Sequence, residues 1–282
     1  ISKIKLATHP LAVRLLNSML KKIFFIAISS FLLFSCKKDN TEIYTQSAKD
    51  AALGERLISD VLKQILYTTP NFIINPTDSL INGIHLSSKP ELNDSTFPKI
   101  ITIDYGDGNT GVLGKIRKGK IIVTINSGTI ITEDLAVSFE EYSSGGSEIW
   151  GNINYTYNSS NAGYNGELLN NGISIVNPNG TMKWDGTFVL TKTSTSGTVN
   201  LTDDIYDFEC TTTGIDFQQT SFSYNTSSNH VIDFSCIDYI TSGTSILKPN
   251  DKDSQTINFG SGNCDANGVI QLSDGSEKNF IF

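Results

Sequence analysis

Four cysteines are the side chains here best suited to covalent chemistry, and one of them has neighbours that specify a reaction. Cys36 closes an apolar stretch from Ile23 to Phe34, interrupted only by Ser29 and Ser30. Lys21 and Lys22 precede the stretch, and Lys37, Lys38 and Asp39 follow the cysteine. Crossing a bilayer takes about twenty apolar residues; a shorter run behind a positive segment has the plan of a secretory signal. Leu33-Phe34-Ser35-Cys36 has the form of a lipobox: an aliphatic residue at −3, a small one at −1, then a cysteine whose thiol takes a diacylglyceryl group as a thioether. Phe34 is bulkier than the usual −2 residue. A diacylglyceryl group with a further amide-linked chain buries far more CH2 than the single acyl chain that binds membranes only marginally. The competing reading is a buried core helix that happens to contain a cysteine, and the charges directly after Cys36 argue against it. The chain is therefore expected to be lipid-anchored at Cys36 in the outer membrane, on its periplasmic or cell-surface side. Met19-Leu-Lys-Lys reads as the start of the signal, which makes 1–18 upstream sequence.

Cys210, Cys236 and Cys264 remain. An exported chain meets an oxidising compartment, so one disulfide and one free thiol are expected, with three choices of pair. Metal binding is the weaker reading: there is no Cys-x-x-Cys, and only His85 and His230 lie beyond the signal. Asp104, Asp107 and Asn109 miss the Asp-x-Asp-x-Asn rhythm of calcium loops and read as a structural turn. A Ser-His-Asp relay could use only His85 or His230, and neither has a recognisable setting; His230, beside Asn229, reads as a turn residue. Glu140/Glu141 and Asp203/Asp204 are adjacent pairs, which a strand would send to opposite faces. Trp150 and Trp184 could stack on sugars, with core packing as the alternative. No nucleophile elbow, zinc-protease motif, phosphate loop or dinucleotide fingerprint is present. No cofactor is expected, and catalysis is the less favoured reading.

Residues 1–35 carry five basic residues and no acid. Without them the 21 Lys+Arg become 16 against 29 Asp+Glu, a net charge of −13. That balance disfavours nucleic acid, whose phosphates call for clustered Lys and Arg. The one dense basic patch, Lys115, Arg117, Lys118 and Lys120, reads as the solvated side of a hairpin. Residues 36–46 read as a tether. Over 47–67 the pairs Leu57/Ile58, Val61/Leu62 and Ile65/Leu66 recur every four residues and place one apolar stripe on a helix, with Ser47 as N-cap and Pro70 as stop. Residues 68–97 read as a linker with Pro70, Pro76 and Pro90, and a short strand at 72–74.

From 98 to 282 the chain alternates or runs β-branched: 101–105, 120–125, 135–139, 149–157, 181–191, 205–213, 215–224, 231–239 and 279–282. Asn-Gly at 165, 171, 179 and 267, and Asp-Gly at 107, 185 and 274, read as hairpin turns. Connections this short exclude parallel crossovers. The expected fold is mainly β: one amphipathic helix, then a curved antiparallel meander of about ten strands, half-barrel or barrel-like, with a β-sandwich as the alternative. The helix is expected against one face or mouth of the sheet. Thr102-Ile-Asp-Tyr-Gly-Asp-Gly-Asn109 returns as Thr256-Ile-Asn-Phe-Gly-Ser-Gly-Asn263, each a strand running into a glycine-rich turn.

Ala51-Ala-Leu-Gly-Glu-Arg-Leu-Ile-Ser-Asp60, Phe97-Pro-Lys-Ile-Ile-Thr-Ile-Asp-Tyr-Gly-Asp-Gly108, Arg117-Lys-Gly-Lys-Ile121 and Gly260-Ser-Gly-Asn-Cys-Asp265 together resemble an uncharacterised family of Bacteroidota lipoproteins of the Flavobacteriia type. The resemblance runs over most of 36–282. It implies that Cys236 and Cys264 pair and that Cys210 is private to this chain. Family members also carry a cysteine in the first glycine-rich turn, where Asn109 or Thr110 stands here. The family brings no activity with it. Three roles follow as expectations: a non-catalytic envelope protein that binds or scaffolds an envelope protein or glycan; a carrier of lipid or another hydrophobic molecule on a concave sheet; and a glycan-binding or glycan-acting protein.

Overall fold

The pairs of apolar residues at 57/58, 61/62 and 65/66 do form a helix, α1 (Gln46–Ile74). The computed structural model describes residues 44–281 apart from 75–78, 82, 92–93, 111–113, 129–132, 195–202 and 237–239, all within one unit, Tyr44–Phe282. Cys36, the signal and the start of the tether lie outside the described residues. Among the described residues fourteen strands follow α1: β1 (Ser79–Ile81), β2 (Ile84–Lys89), β3 (Lys99–Asp104), β4 (Arg117–Ile125), β5 (Leu135–Ser144), β6 (Ser147–Asn158) and β7 (Gly163–Asn177). Then come β8 (Gly180–Lys192), β9 (Ile205–Ile215), β10 (Ser221–Asp233), β11 (Ser242–Pro249), β12 (Gln255–Ser261), β13 (Asn267–Leu272) and β14 (Glu277–Ile281). They form a single antiparallel meander in sequence order, with β1 and β14 as its edges. One sheet, not two packed sheets, is what the chain builds.

The sheet curls around the helix. α1 packs on β1, β8, β10 and β11, and its side chains bond to groups on β4, β5 and β10. A straight helix reaches strands from both halves of a fourteen-strand sheet only if the sheet wraps it. Strand after strand alternates inward apolar and outward polar residues, as in β3 (Ile101 and Ile103 in) and β4 (Ile121, Val123 and Ile125 in). These side chains meet Leu57, Ile58, Val61, Leu62, Ile65 and Leu66 in one core. Gly54 sets how closely the helix docks: a Cβ there would lie 3.0 Å from the Trp184 ring.

The helix is not one-sided. Asp50, Glu55, Asp60, Lys63 and Gln64 are as buried as the apolar stripe. α1 therefore lies inside the curl and not against a mouth, and each of these polar groups needs a partner because unpaired burial is costly. α1 also runs through Pro70 to Ile74, seven residues past its expected end. Proline removes one backbone bond, but burial of the preceding turns, more than propensity, sets a helix in a protein. Ser47 is not its N-cap: it sits inside the first turn and donates to Asp216 at 2.6 Å. The expected linker 68–97 contains the end of α1 together with β1 and β2.

Several Gly dipeptides are not turns. Asn179-Gly180, Asp107-Gly108 and Asp274-Gly275 lie at turns, but Asn165-Gly166, Asn171-Gly172 and Asp185-Gly186 lie within β7 and β8, and Asn267-Gly268 begins β13. Gly172 (φ +82°) stands where the β6–β7 and β7–β8 registers both shift, and a Cβ there would meet the Trp184 carbonyl at 2.1 Å. Such bulges bend a strand, and here they help curl the sheet. The expected strand 215–224 spans the last residue of β9, the β9–β10 turn and the start of β10, and that at 231–239 holds the end of β10 and a turn at 234–236, with 237–239 outside the described residues. Asp216 organises the β9–β10 turn through Gln218 N and Thr220 N, with Gln219 at φ +64°, so no glycine marks it.

The internal echo is structural. Asp104 accepts from Gly106 N at 2.8 Å, and Asn258 accepts from Gly260 N at 2.9 Å; Tyr105 and Phe259 are both buried.

Candidate functional site

Between Asp50 and Gln64, α1 reaches different parts of the sheet through buried polar bonds. Asp50 accepts from Phe217 N at 2.8 Å and from Gln46 at 2.7 Å. Glu55 accepts from Tyr224 Oη at 2.8 Å and lies 2.6 Å from His230 Nδ1, while His230 Nε2 lies 2.7 Å from Ser245 Oγ. Asp60 accepts from Arg117 Nε at 3.1 Å, Arg117 Nη2 at 2.5 Å and Ser144 Oγ at 2.8 Å. Gln64 accepts from Tyr105 Oη at 2.9 Å, and Lys63 donates to the Cys236 carbonyl at 2.8 Å.

Ser245, His230 and Glu55 have the order of a nucleophile, a base and a group that orients the base. All three are fully buried under Tyr224 and Phe259. Chemistry at Ser245 Oγ would need a path for substrate, and the helix and strands that supply the three residues close over them. The arrangement joins α1 to β10 and β11. His230 is thus a strand residue, not a turn residue. Sequence missed it because Glu55 stands 175 positions away; the one signal was an acid every five residues, at 50, 55 and 60, in a helix otherwise read as a single stripe.

Arg117 corrects the basic patch. It is fully buried against Asp60, while Lys118 is exposed and Lys120 pairs with Glu140 at 3.2 Å on the surface. Burial alone would raise the Asp60 carboxyl, but the Arg117 guanidinium, with Lys115 and the Ser144 hydroxyl, holds it below the usual range. Asp50 goes the other way: burial, helped by Asp216, pushes its carboxyl from 3.8 to about 6, against the bonds from Phe217 N and Gln46. A raised carboxyl favours the fold only while protonated, so its penalty is absent below pH 3.8, grows between 3.8 and 6, and is complete above 6. At about 1.4 kcal/mol per unit, the stability of the native chain relative to D50N should fall by about 2–3 kcal/mol between pH 4 and pH 7. Urea unfolding of both proteins at the two pH values measures this; an unchanged difference would remove Asp50 from the pH response.

α1 occupies the inside of the curl, and two clefts open on its outside. A cleft of about 510 Å³ crosses the outer face of β8–β11. Lys183 and Asp185 stand on β8 at one end, Lys248 and Asp251 at the other, and Thr213, Ser221 and Ser223 lie between them. A second cleft of about 440 Å³ over β12–β14 is lined by Asn258, Asn263, Asp265, Asn267 and Asn279.

A disulfide joins Cys236 to Cys264, tying the segment after β10 to the β12–β13 turn. Cys210 is a buried free thiol, pushed up by burial. Asp104 and Asn109 serve the β3–β4 turn, Asn109 through paired backbone bonds with Arg117. Among the described residues no group of three His, Cys, Asp or Glu is placed to hold a metal. Glu140 and Glu141 are both exposed, because Glu141 (φ +49°) sits at a bulge that breaks the alternation. Asp203 is exposed, whereas Asp204 is buried and pairs with Lys192 at 2.6 Å. His85 is exposed on β2. Trp184 is fully buried, with Nε1 donating to Thr212 Oγ1 at 3.0 Å; Trp150, on the outer face of β6, is 46% exposed.

No helix among the described residues is long and apolar enough to cross a membrane. The chain matches no protein-family model, no curated protein and no solved structure.

Proposed function

We propose that this chain is an exported envelope protein, held at the outer membrane through lipid on Cys36, whose folded part is a non-catalytic binding module working through the outer face of its sheet. The observation that carries this reading is the placement of α1. It occupies the concave side, the surface a carrier of hydrophobic molecules would need, and polar bonds hold it from Asp50 to Gln64. What remains open to a partner is the outer face and its clefts. Catalysis on a glycan takes two carboxylates about 5–10 Å apart; Asp185 on β8 and Asp251 in the turn after β11 lie at opposite ends of the cleft, whose outer strands are about 14 Å apart at the usual spacing. The likeness to Bacteroidota lipoproteins agrees with the anchor.

The test has two parts. Cells expressing the full chain and its C36A variant are fed radiolabelled palmitate. The native chain should take up label and sediment with membranes, and C36A should do neither. The purified folded part should then bind envelope fragments from the same cells. Unlabelled native chain would overturn the anchor, and failure to bind any envelope fraction would overturn the binding role.

A further inference from the structure

We infer that the outer face of β6–β11 is a binding site for a neutral linear saccharide, with Trp150 as its stacking platform; this rests on the outer-face reading above. Cross-strand partners share a face of a sheet. Trp150 pairs with Ser174, Ser174 with Lys183, Lys183 with Ile215, and Ile215 with Ser221, whose carbonyl accepts from Asn250 N at 2.7 Å. The exposed indole therefore stands in the same transverse row as one wall of the β8–β11 cleft, two strands or about 10 Å beyond Lys183. From β6 to β11 the row is about 24 Å long at the usual strand spacing.

The chemistry of the row selects the ligand. An exposed indole offers an apolar face with a polar edge, which suits the C–H face of a pyranose ring. Between the two ends Thr213, Ser221 and Ser223 offer small hydroxyl side chains and Ile215 an apolar one, a mixed floor like the mixed faces of a sugar ring. At each end one Lys donor and one Asp acceptor stand together, a set that bonds neighbouring sugar hydroxyls. Local charge is balanced, so neither a polyanion nor a polycation is favoured, and the acidic chain as a whole repels acidic polymers. An extended peptide would seek unpaired backbone on a sheet edge; β8, β9, β10 and β11 are each paired on both sides. A pyranose chain lying across the strands advances by roughly one strand spacing, about 5 Å, per ring.

The two tryptophans make the test direct, because one is buried and one exposed. The purified chain is titrated with envelope fragments in three forms: untreated, protease-digested, and periodate-oxidised, which cleaves vicinal diols. The expected result is a saturable blue shift of tryptophan emission that survives protease and is lost on periodate treatment. W150A lacks the reporting indole, so its binding is read by co-sedimentation with the fragments; it should fold with an unchanged thermal midpoint and bind at least tenfold more weakly, while K183A and K248A should each bind several-fold more weakly. Binding that survives periodate but not protease, or W150A binding as tightly as the native chain, would overturn the saccharide and leave the outer-face binding role standing. Absence of binding to all three forms would overturn both.

Discussion

Replacing Asp60 by alanine is expected to destabilise the protein by about 3–5 kcal/mol, the usual cost of removing one partner of a buried ion pair. The carboxylate is 4% exposed and its guanidinium partner fully buried. Loss of the carboxylate takes two hydrogen bonds from the buried Arg117 guanidinium, which keeps its bond to the Lys115 carbonyl at 3.0 Å, and strands the Ser144 hydroxyl. Urea unfolding followed by circular dichroism would measure the loss. The double variant D60L/R117M, which removes both charges, should recover most of it, since well-packed apolar replacements of buried pairs are often neutral. Because Asp60 is held below the usual carboxylate range, its contribution is present above about pH 3.8 and is lost as pH falls through its folded value. A cost under about 1 kcal/mol for D60A would mean that water reaches this pair and that the sheet does not seal around α1.

The second large effect concerns Cys236 and Cys264. The bridge closes a loop with a sequence separation of 28. The chain-entropy model gives roughly 3–4 kcal/mol for such a loop, acting mainly through the unfolded state. The paired variant C236A/C264A should therefore unfold at a clearly lower urea concentration than the native chain, and reducing agent should shift the native chain but not the variant. The native midpoint staying put under reduction would count against the bridge. Its place also matters for α1, since Lys63 donates to the Cys236 carbonyl. Opening the bridge should loosen the C-terminal half of the helix first, which hydrogen exchange over 60–68 would read as faster exchange than over 48–56.

Sequence periodicity was enough for the helix and for most strands, because a buried face repeats every 3.6 or every 2 residues whatever it packs on. It was also enough for the antiparallel meander, because short connections leave no room for a crossover. It misjudged particular residues where local pattern and tertiary context diverge. Asn171-Gly172 has the chemistry of a hairpin turn, and the same freedom of φ serves a bulge inside β7. Arg117 stands among three lysines, and only its register on β4 turns it inward to Asp60. Pro70 stops an isolated helix, yet α1 runs past it behind turns buried in the sheet.

What the chain's own letters determined is a mainly β body with one helix, an acidic balance and a short list of chemically able side chains. Only the tertiary structure decided that α1 lies inside the curl, that Glu55, His230 and Ser245 meet, and that Trp150 and the β8–β11 cleft share one row. The reason is distance along the chain. Local periodicity reports which way a side chain faces within its own element, whereas partners 57 to 175 positions apart are chosen by how the sheet curls, and that curl is a sum over fourteen strands that no local pattern contains.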